Sequence, residues 1–206
     1  MSTSRGIEKV PVTLASDFYK QDTLTVARQL LGCCLVHYDG KSTVAGTIVE
    51  TEAYLRTDPA AHSYRGKTPG NSVLFGPSGH AHVFFIYGMH WCLNIVTGSK
   101  NRRGAVLLRA LEPVEGIPLM EKRRGTHDLR NLCNGPGKLT QALGVTGKCN
   151  GAVFQSGPLR ITAAKPAKFP LIPNEQVIQT RRIGISRAQE ALYRFYIKEN
   201  PFVSRK

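Results

Sequence analysis

Acidic side chains are the scarce class in this sequence: 14 Asp and Glu stand against 28 Lys and Arg, for a formal charge of +14. So one-sided a balance points to a polyanionic partner, because Lys and Arg gain affinity by displacing counterions from phosphates. Long apolar runs are missing too. The most apolar stretch, VFFIYGMHWCLNIV, is broken by Gly88 and His90 and is too short to span a bilayer. The opening residues MSTSRGIEKV carry no apolar segment, so no signal peptide is expected there. Cysteine is sparse and unpatterned: Cys33, Cys34, Cys92, Cys133 and Cys149 make an odd number with no C-x-x-C pair, four of them in apolar surroundings. That usage fits buried, reduced thiols and argues against a zinc site, an iron–sulfur cluster or a disulfide scaffold. Repeats, low-complexity tracts and a dividing linker are lacking as well. With 41% apolar and 20% charged residues, the 206-residue chain has the composition of a globular domain with a substantial core. The expected organisation is a single domain over 15–206, preceded by a flexible segment at 1–14.

DTLTVARQLLG reads as a helix capped by Asp22, striped by Leu24, Ala27, Leu30 and Leu31, and closed by Gly32. CCLVHYDGKSTVAGTIVETEAY reads as a hairpin turning at Asp39-Gly40, and LRTDPAAHSYRGKTPGNS as a long, basic surface loop of the kind that often carries function. AHVFFIYGMHWCLNIVT, interrupted near Tyr87-Gly88-Met89, and GAVLLRALEP supply further strands. EGIPLMEKRRG and GPGKLTQALG read as short helices, the second starting at Pro136, and GPLRITAA, RRIGIS and YRFYIKEN as late strands. The sum is a strand-rich α+β domain with helices outside the sheet.

Several stretches carry chemistry. Strand alternation puts Glu50, Glu52 and Tyr54 on one face and Val49, Thr51 and Ala53 on the other. Two neighbouring carboxylates repel, and partial burial raises the pKa of at least one, which suits a general base. The same stretch also fits an exposed face on which both glutamates meet solvent or arginines, or a metal site with Asp58 as third ligand. His62 is a lone histidine in the loop, and His80 and His82 share a strand face without an evident third ligand, so a structural or phosphate-facing role is expected of that pair. Phe85 and Trp91 read as core, whereas Tyr87, just before Gly88, sits where a turn can project its ring into a base stack. Arg109, inside the apolar LLRALEP, needs an acidic partner when buried, for which Glu52 is the natural candidate. NGPGK opens a helix whose free N–H groups, with Lys138, suit a phosphate.

Taken together, LLGCCLV, IVETEAY, AAHS, IYGMHWCLNI, AVLLRALEPVEG, NGPGKLTQALGV, RIGIS and YRFYIKENPFVSR occur in the order found in a known family. From about residue 15 onward the chain resembles the alkyladenine (3-methyladenine) DNA glycosylases. The resemblance implies a mixed domain around a curved antiparallel β-sheet flanked by helices, like the C-terminal domain of methionyl-tRNA formyltransferases. It implies monofunctional hydrolysis of the N-glycosidic bond of damaged purines in double-stranded DNA by a monomer, with no cofactor, no metal and no membrane. A cytoplasmic, nucleoid-associated location follows for a bacterial source, a nuclear one for a eukaryotic source. By the same resemblance Glu52 activates water and Arg109 helps bind it, with a backbone carbonyl at Ile185 touching it. Tyr54 and His62 line opposite faces of the flipped base, Phe84 takes the place of a second stacking aromatic, usually Tyr, and Asn94 crowds the amine of guanine. Tyr87 matches the side chain that fills the gap in the duplex. With Glu52 in the water-activating role, Glu50 is expected to be structural. Two readings from other classes stand beside this one: a metal-dependent nuclease using Glu50, Glu52 and Asp58, and a nucleic-acid-binding module without catalysis.

Overall fold

The β-branched run ending in ETEAY and the apolar run around Arg109 fold as the two longest strands of one sheet and pair with each other. The computed structural model describes residues 12–99, 102–163 and 169–205. In chain order its elements are β1 (Val12–Thr13), α1 (Ser16–Lys20), α2 (Thr23–Gln29), β2 (Cys34–Tyr38), β3 (Thr43–Leu55), β4 (Ala81–Ile86), β5 (His90–Thr97), β6 (Gly104–Glu115), α3 (Ile117–Arg124), α4 (Pro136–Leu143), β7 (Leu159–Ala163), β8 (Val177–Thr180) and β9 (Arg194–Ile197). The described strands form a nine-stranded sheet in the order β1-β7-β2-β3-β6-β5-β4, with β9 beside β3 and β8 beside β9. Each of these pairings is antiparallel. The α+β class expected from the sequence is the one observed.

Local signals act where the sequence puts them. The Asp22 carboxylate accepts from the Leu24 and Thr25 amides at 3.0 and 3.1 Å and so starts α2. Asp39 accepts from the amides of Lys41 and Ser42, closing the β2–β3 turn. Pro136 sits in the first turn of α4, where its missing N–H costs nothing, and Gly144 ends that helix at φ 75°. The main core lies on one face of the sheet, where Val26, Ala27, Leu30 and Leu31 of the α2 segment and Leu139, Ala142 and Leu143 of α4 meet Ile48, Ala53, Val106 and Leu108. Gly104 has to be glycine: a Cβ there would lie 2.7 Å from the Tyr54 carbonyl oxygen.

Other expectations need correction. Of the segment 1–14, residues 1–11 lie outside the described residues, but Val12 and Thr13 pair with β7 and Leu14 is buried. RRIGIS is not a strand; β8 ends at Thr180 and the segment runs on as an irregular wall. The long loop contains a 3-10 helix at Pro69–Phe75 with a capping box between Thr68 and Asn71. Phe85 is not core: it is half exposed and leans on Trp91, ring centroids 4.8 Å apart, and Trp91 alone packs against the core.

Alternation along β3 also fails at one point. Ile48 pairs with Leu111 and Glu50 with Ala110, so Val49 is an extra residue on β3. Glu50 pairs with Ala110 and Thr51 with Leu108, so Arg109 is an extra residue on β6. Two facing bulges therefore cancel, and the register resumes. As a result Val49 does not share the face of Thr51 and Ala53. It packs with Ala110, Phe202 and Val203, next to the Ser204 amide that binds Glu50. Thr51 remains on the helix side, donating to the Ala27 carbonyl at 2.8 Å.

Candidate active site

On the sheet face opposite α2, short and long side chains from four strands leave a cleft of about 440 Å³. Tyr54 of β3, Ala105, Leu107 and Arg109 of β6, Cys92 and Asn94 of β5, and Phe84 and Ile86 of β4 line it. The loop Pro59–Ser63, the segment Ile183–Arg187 and Pro136 complete the walls, and Tyr87 stands at the rim. The sequence-predicted residues Tyr54, His62, Phe84, Asn94, Arg109, Ile185 and Tyr87 thus come together from positions far apart in the chain.

Glu52 lies behind this surface, fully buried, and three cleft-lining groups hold it. The Ile183 amide donates to its Oε1 at 2.8 Å, an Arg109 terminal nitrogen reaches the same oxygen at 3.2 Å, and the Tyr54 hydroxyl donates to Oε2 at 2.8 Å. Burial, then the charge of Glu52, pushes the Tyr54 phenol well above its ordinary range, so it stays protonated and donates. Arg109 also donates through Nε to Glu50 at 3.2 Å. Glu50 in turn accepts from the Ser204 amide at 2.7 Å and lies 3.5 Å from Arg194 Nε. The two glutamates are therefore neither solvent-facing nor a bare repelling pair: a shared arginine bridges them. Asp58 pairs with buried Arg182 instead of joining them, and among the described residues no group of three His, Cys, Asp or Glu side chains gathers as metal ligands.

The cleft's other wall is aromatic. His62 meets Phe84 edge-on at 4.4 Å between centroids, and His82 stacks behind Phe84 at 5.2 Å and 16°. Burial lowers the pKa of His62; burial and then the neighbouring His62 lower that of His82 to about 4, so both rings are neutral near pH 7. His80 is separate from this group and bridges to Val153. The Asn94 side-chain oxygen, buried at the floor, has no hydrogen-bond partner among the described residues. Such an orphan costs about 1–3 kcal/mol until something binds it.

Tyr87 tops the β4–β5 hairpin with φ 52°, beside Gly88 at φ 67°, and is 80% exposed. A non-glycine residue in that left-handed region costs on the order of 1 kcal/mol, a strain typical of functional positions. Ile185 lines the cleft, but its carbonyl accepts from the Gln189 side chain at 2.9 Å; the residue of that segment that touches Glu52 is Ile183. Lys138 lies outside the lining residues, its ammonium donating to the side-chain oxygens of Asn131 and Asn134. The sequence reading missed Arg182, which reaches Asp58 and the Ala53 carbonyl and stacks over Tyr54 at 4.6 Å. Its only signal was a second arginine before I-G-I-S.

Comparison with known proteins gives the same direction. The chain matches the family model for methylpurine-DNA glycosylase (MPG) over residues 17–201. It is 54% identical over 195 residues, 95% of this chain and all of the relative, to a Methanoculleus marisnigri protein named "Putative 3-methyladenine DNA glycosylase". Proteins of the same name from Carboxydothermus hydrogenoformans and Chlorobaculum tepidum are 48% and 46% identical, covering 94% and 93% of this chain and 99% and 90% of theirs. No described helix is long and apolar enough to cross a membrane. With that similarity spanning the strands that build the cleft, the chain belongs to the methylpurine-DNA glycosylase family and is a DNA-repair hydrolase of N-glycosyl bonds.

Proposed function

We propose that the cleft receives an alkylated or deaminated purine rotated out of duplex DNA and that Glu52 activates the water that releases it. The supporting observation is the setting of Glu52: a fully buried carboxylate whose three partners, Tyr54, Arg109 and Ile183, all line the cleft. A carboxylate oxygen accepts about two hydrogen bonds. Oε1 is engaged by the Ile183 amide and the Arg109 ion pair, Oε2 by the Tyr54 hydroxyl alone, so Oε2 is the freer acceptor for a water beside Arg109.

In this reading the nucleotide is flipped at a cost of a few kcal/mol, and the Tyr87 ring occupies the vacated stack. The purine lies between Tyr54 and the His62–Phe84 wall, with Asn94 crowding any exocyclic amine of normal guanine. Alkylation at N3 or N7 makes the base cationic and a good leaving group. As the bond breaks, the sugar becomes oxocarbenium-like. Glu52 stabilises that charge and takes the water's proton, as the base carboxylate of an inverting glycosidase does. Phe84 supplies a π-face without the hydroxyl that a tyrosine would add. Substrates of this class are 3-methyladenine, 7-methylguanine, hypoxanthine and ethenoadenine. Glu52→Gln is expected to abolish release of 3-methyladenine from a single-lesion duplex in EDTA while DNA binding, read by anisotropy, persists; undiminished release refutes the assignment.

A further inference from the structure

Arg182 sits on the hidden side of one cleft wall. Its guanidinium carbon lies 4.6 Å from the Tyr54 ring centroid and 5.3 Å from that of Tyr193. The fork is fixed: one nitrogen donates to the Ala53 carbonyl at 3.0 Å and to Asp58, the other to the Ala188 carbonyl at 3.4 Å. Arg182 therefore tethers three parts of the site: the Tyr54 ring, the turn at Asp58 that leads to His62, and the Ile183 amide that follows it onto Glu52.

The two walls consequently differ in charge. An aromatic face attracts a cation through its negative quadrupole. The inner face of Tyr54 already carries one, so its open face is less negative, and a second cation there meets the first through the ring. Asp58 neutralises the net charge of the pair but lies on the guanidinium, not in the ring. Across the cleft Phe84 is backed by the His82 imidazole and edged by that of His62, with no cation stacked on it among the described residues.

We propose that Arg182 sets the charge preference of the cleft: the Tyr54 face favours a neutral purine over a cationic one, and attraction for a cationic purine resides in the Phe84–His62 wall. This rests on the purine-pocket reading above. Arg182 acts through Tyr54 and is a positioning and specificity residue, not a catalytic one.

The test compares single-turnover release from duplexes bearing one 7-methylguanine, which is cationic, or one hypoxanthine, which is neutral. In the double variant Arg182→Met/Asp58→Asn both partners change, so no charge is left buried alone. Its 7-methylguanine-to-hypoxanthine rate ratio is expected to rise about threefold to tenfold over the parent's. A general loss of order lowers both rates and cancels in the ratio, so an unchanged or smaller ratio overturns the proposal. Two single variants that keep Arg182 decide the question if the double variant does not fold. Phe84→Leu is expected to slow 7-methylguanine release more than hypoxanthine release, and Tyr54→Leu the reverse. The same order in both variants overturns it. Release of neither base by the parent removes the pocket reading and this proposal together. Release of both, abolished by Glu52→Gln but without the ratio pattern, removes this proposal alone.

Discussion

The centre of β3 and the tip of the β4–β5 hairpin invert the usual placement of side chains. At the centre, Glu50, Glu52, Arg109 and Arg194 are all buried, with Asp58 and Arg182 beside them: three acids and three arginines. At the tip, Phe85, Tyr87 and Met89 face solvent. Charged groups are rarely fully buried unless paired, and large apolar groups rarely cluster outside without a use. Both regions are thus held against their intrinsic preference. The buried charges are kept by mutual pairing, and the exposed rings by a hairpin that no other described element covers.

The two regions should respond to mutation in opposite ways. Arg109→Leu should be the most damaging to stability, since it leaves Glu50 and Glu52 without their shared cation. Breaking a buried pair in this way costs about 3–5 kcal/mol, and a Tm drop of roughly 10 °C is expected by differential scanning fluorimetry. A variant that melts with the parent would show that the buried charges are not a unit. Acid comes next. His82 has an ordinary pKa of 6.5 and a folded one of about 4, so the unfolded chain binds its proton more readily between those values. Its contribution is complete above pH 6.5 and is lost as pH falls toward 4, on the order of 3 kcal/mol in all. Urea midpoints at pH 7 and pH 4.5 are expected to fall more steeply for the parent than for His82→Phe; equal slopes would place the acid sensitivity elsewhere. Tyr87→Gly should change stability least, within about 0.5 kcal/mol, because the ring is exposed and glycine accepts φ 52°. The same change is expected to reduce the fluorescence of an extruded ethenoadenine in a bound duplex, and an undiminished signal would deny the tip its wedge role.

Much of the frame was legible because its signals are local. Asp22, Asp39 and Pro136 bond or bend within a few residues of themselves, and β3 shows in its β-branched run. The pairing of Arg109 with Glu52 was also readable, since a lone arginine in an apolar strand must find an acid. Its second partner, Glu50, was not, because the bulges that bring them together leave no mark in composition. Arg182 escaped for a related reason: Asp58 lies 124 positions away, and RRIGIS reads as β-branched strand when the chain in fact bends there to reach Glu52. Phe85 reads as core because an aromatic in a strand defaults to it, and only the tertiary fold shows that β4 is the last described strand of the sheet, with no described element over its outer end. The gathering of the cleft-lining side chains was anticipated through the family resemblance, not through spacing.

The paired irregularities at Val49 and Arg109 limit how this chain can vary. Each adds one residue to its own strand, and only their coincidence returns the two strands to step. Deleting one alone would rotate everything beyond it by half a period, carrying Glu52 and Tyr54 toward the helix side and Thr51 and Ala53 toward the cleft. A length change between these two bulges and the cleft should therefore be tolerated only with a compensating change in the facing strand.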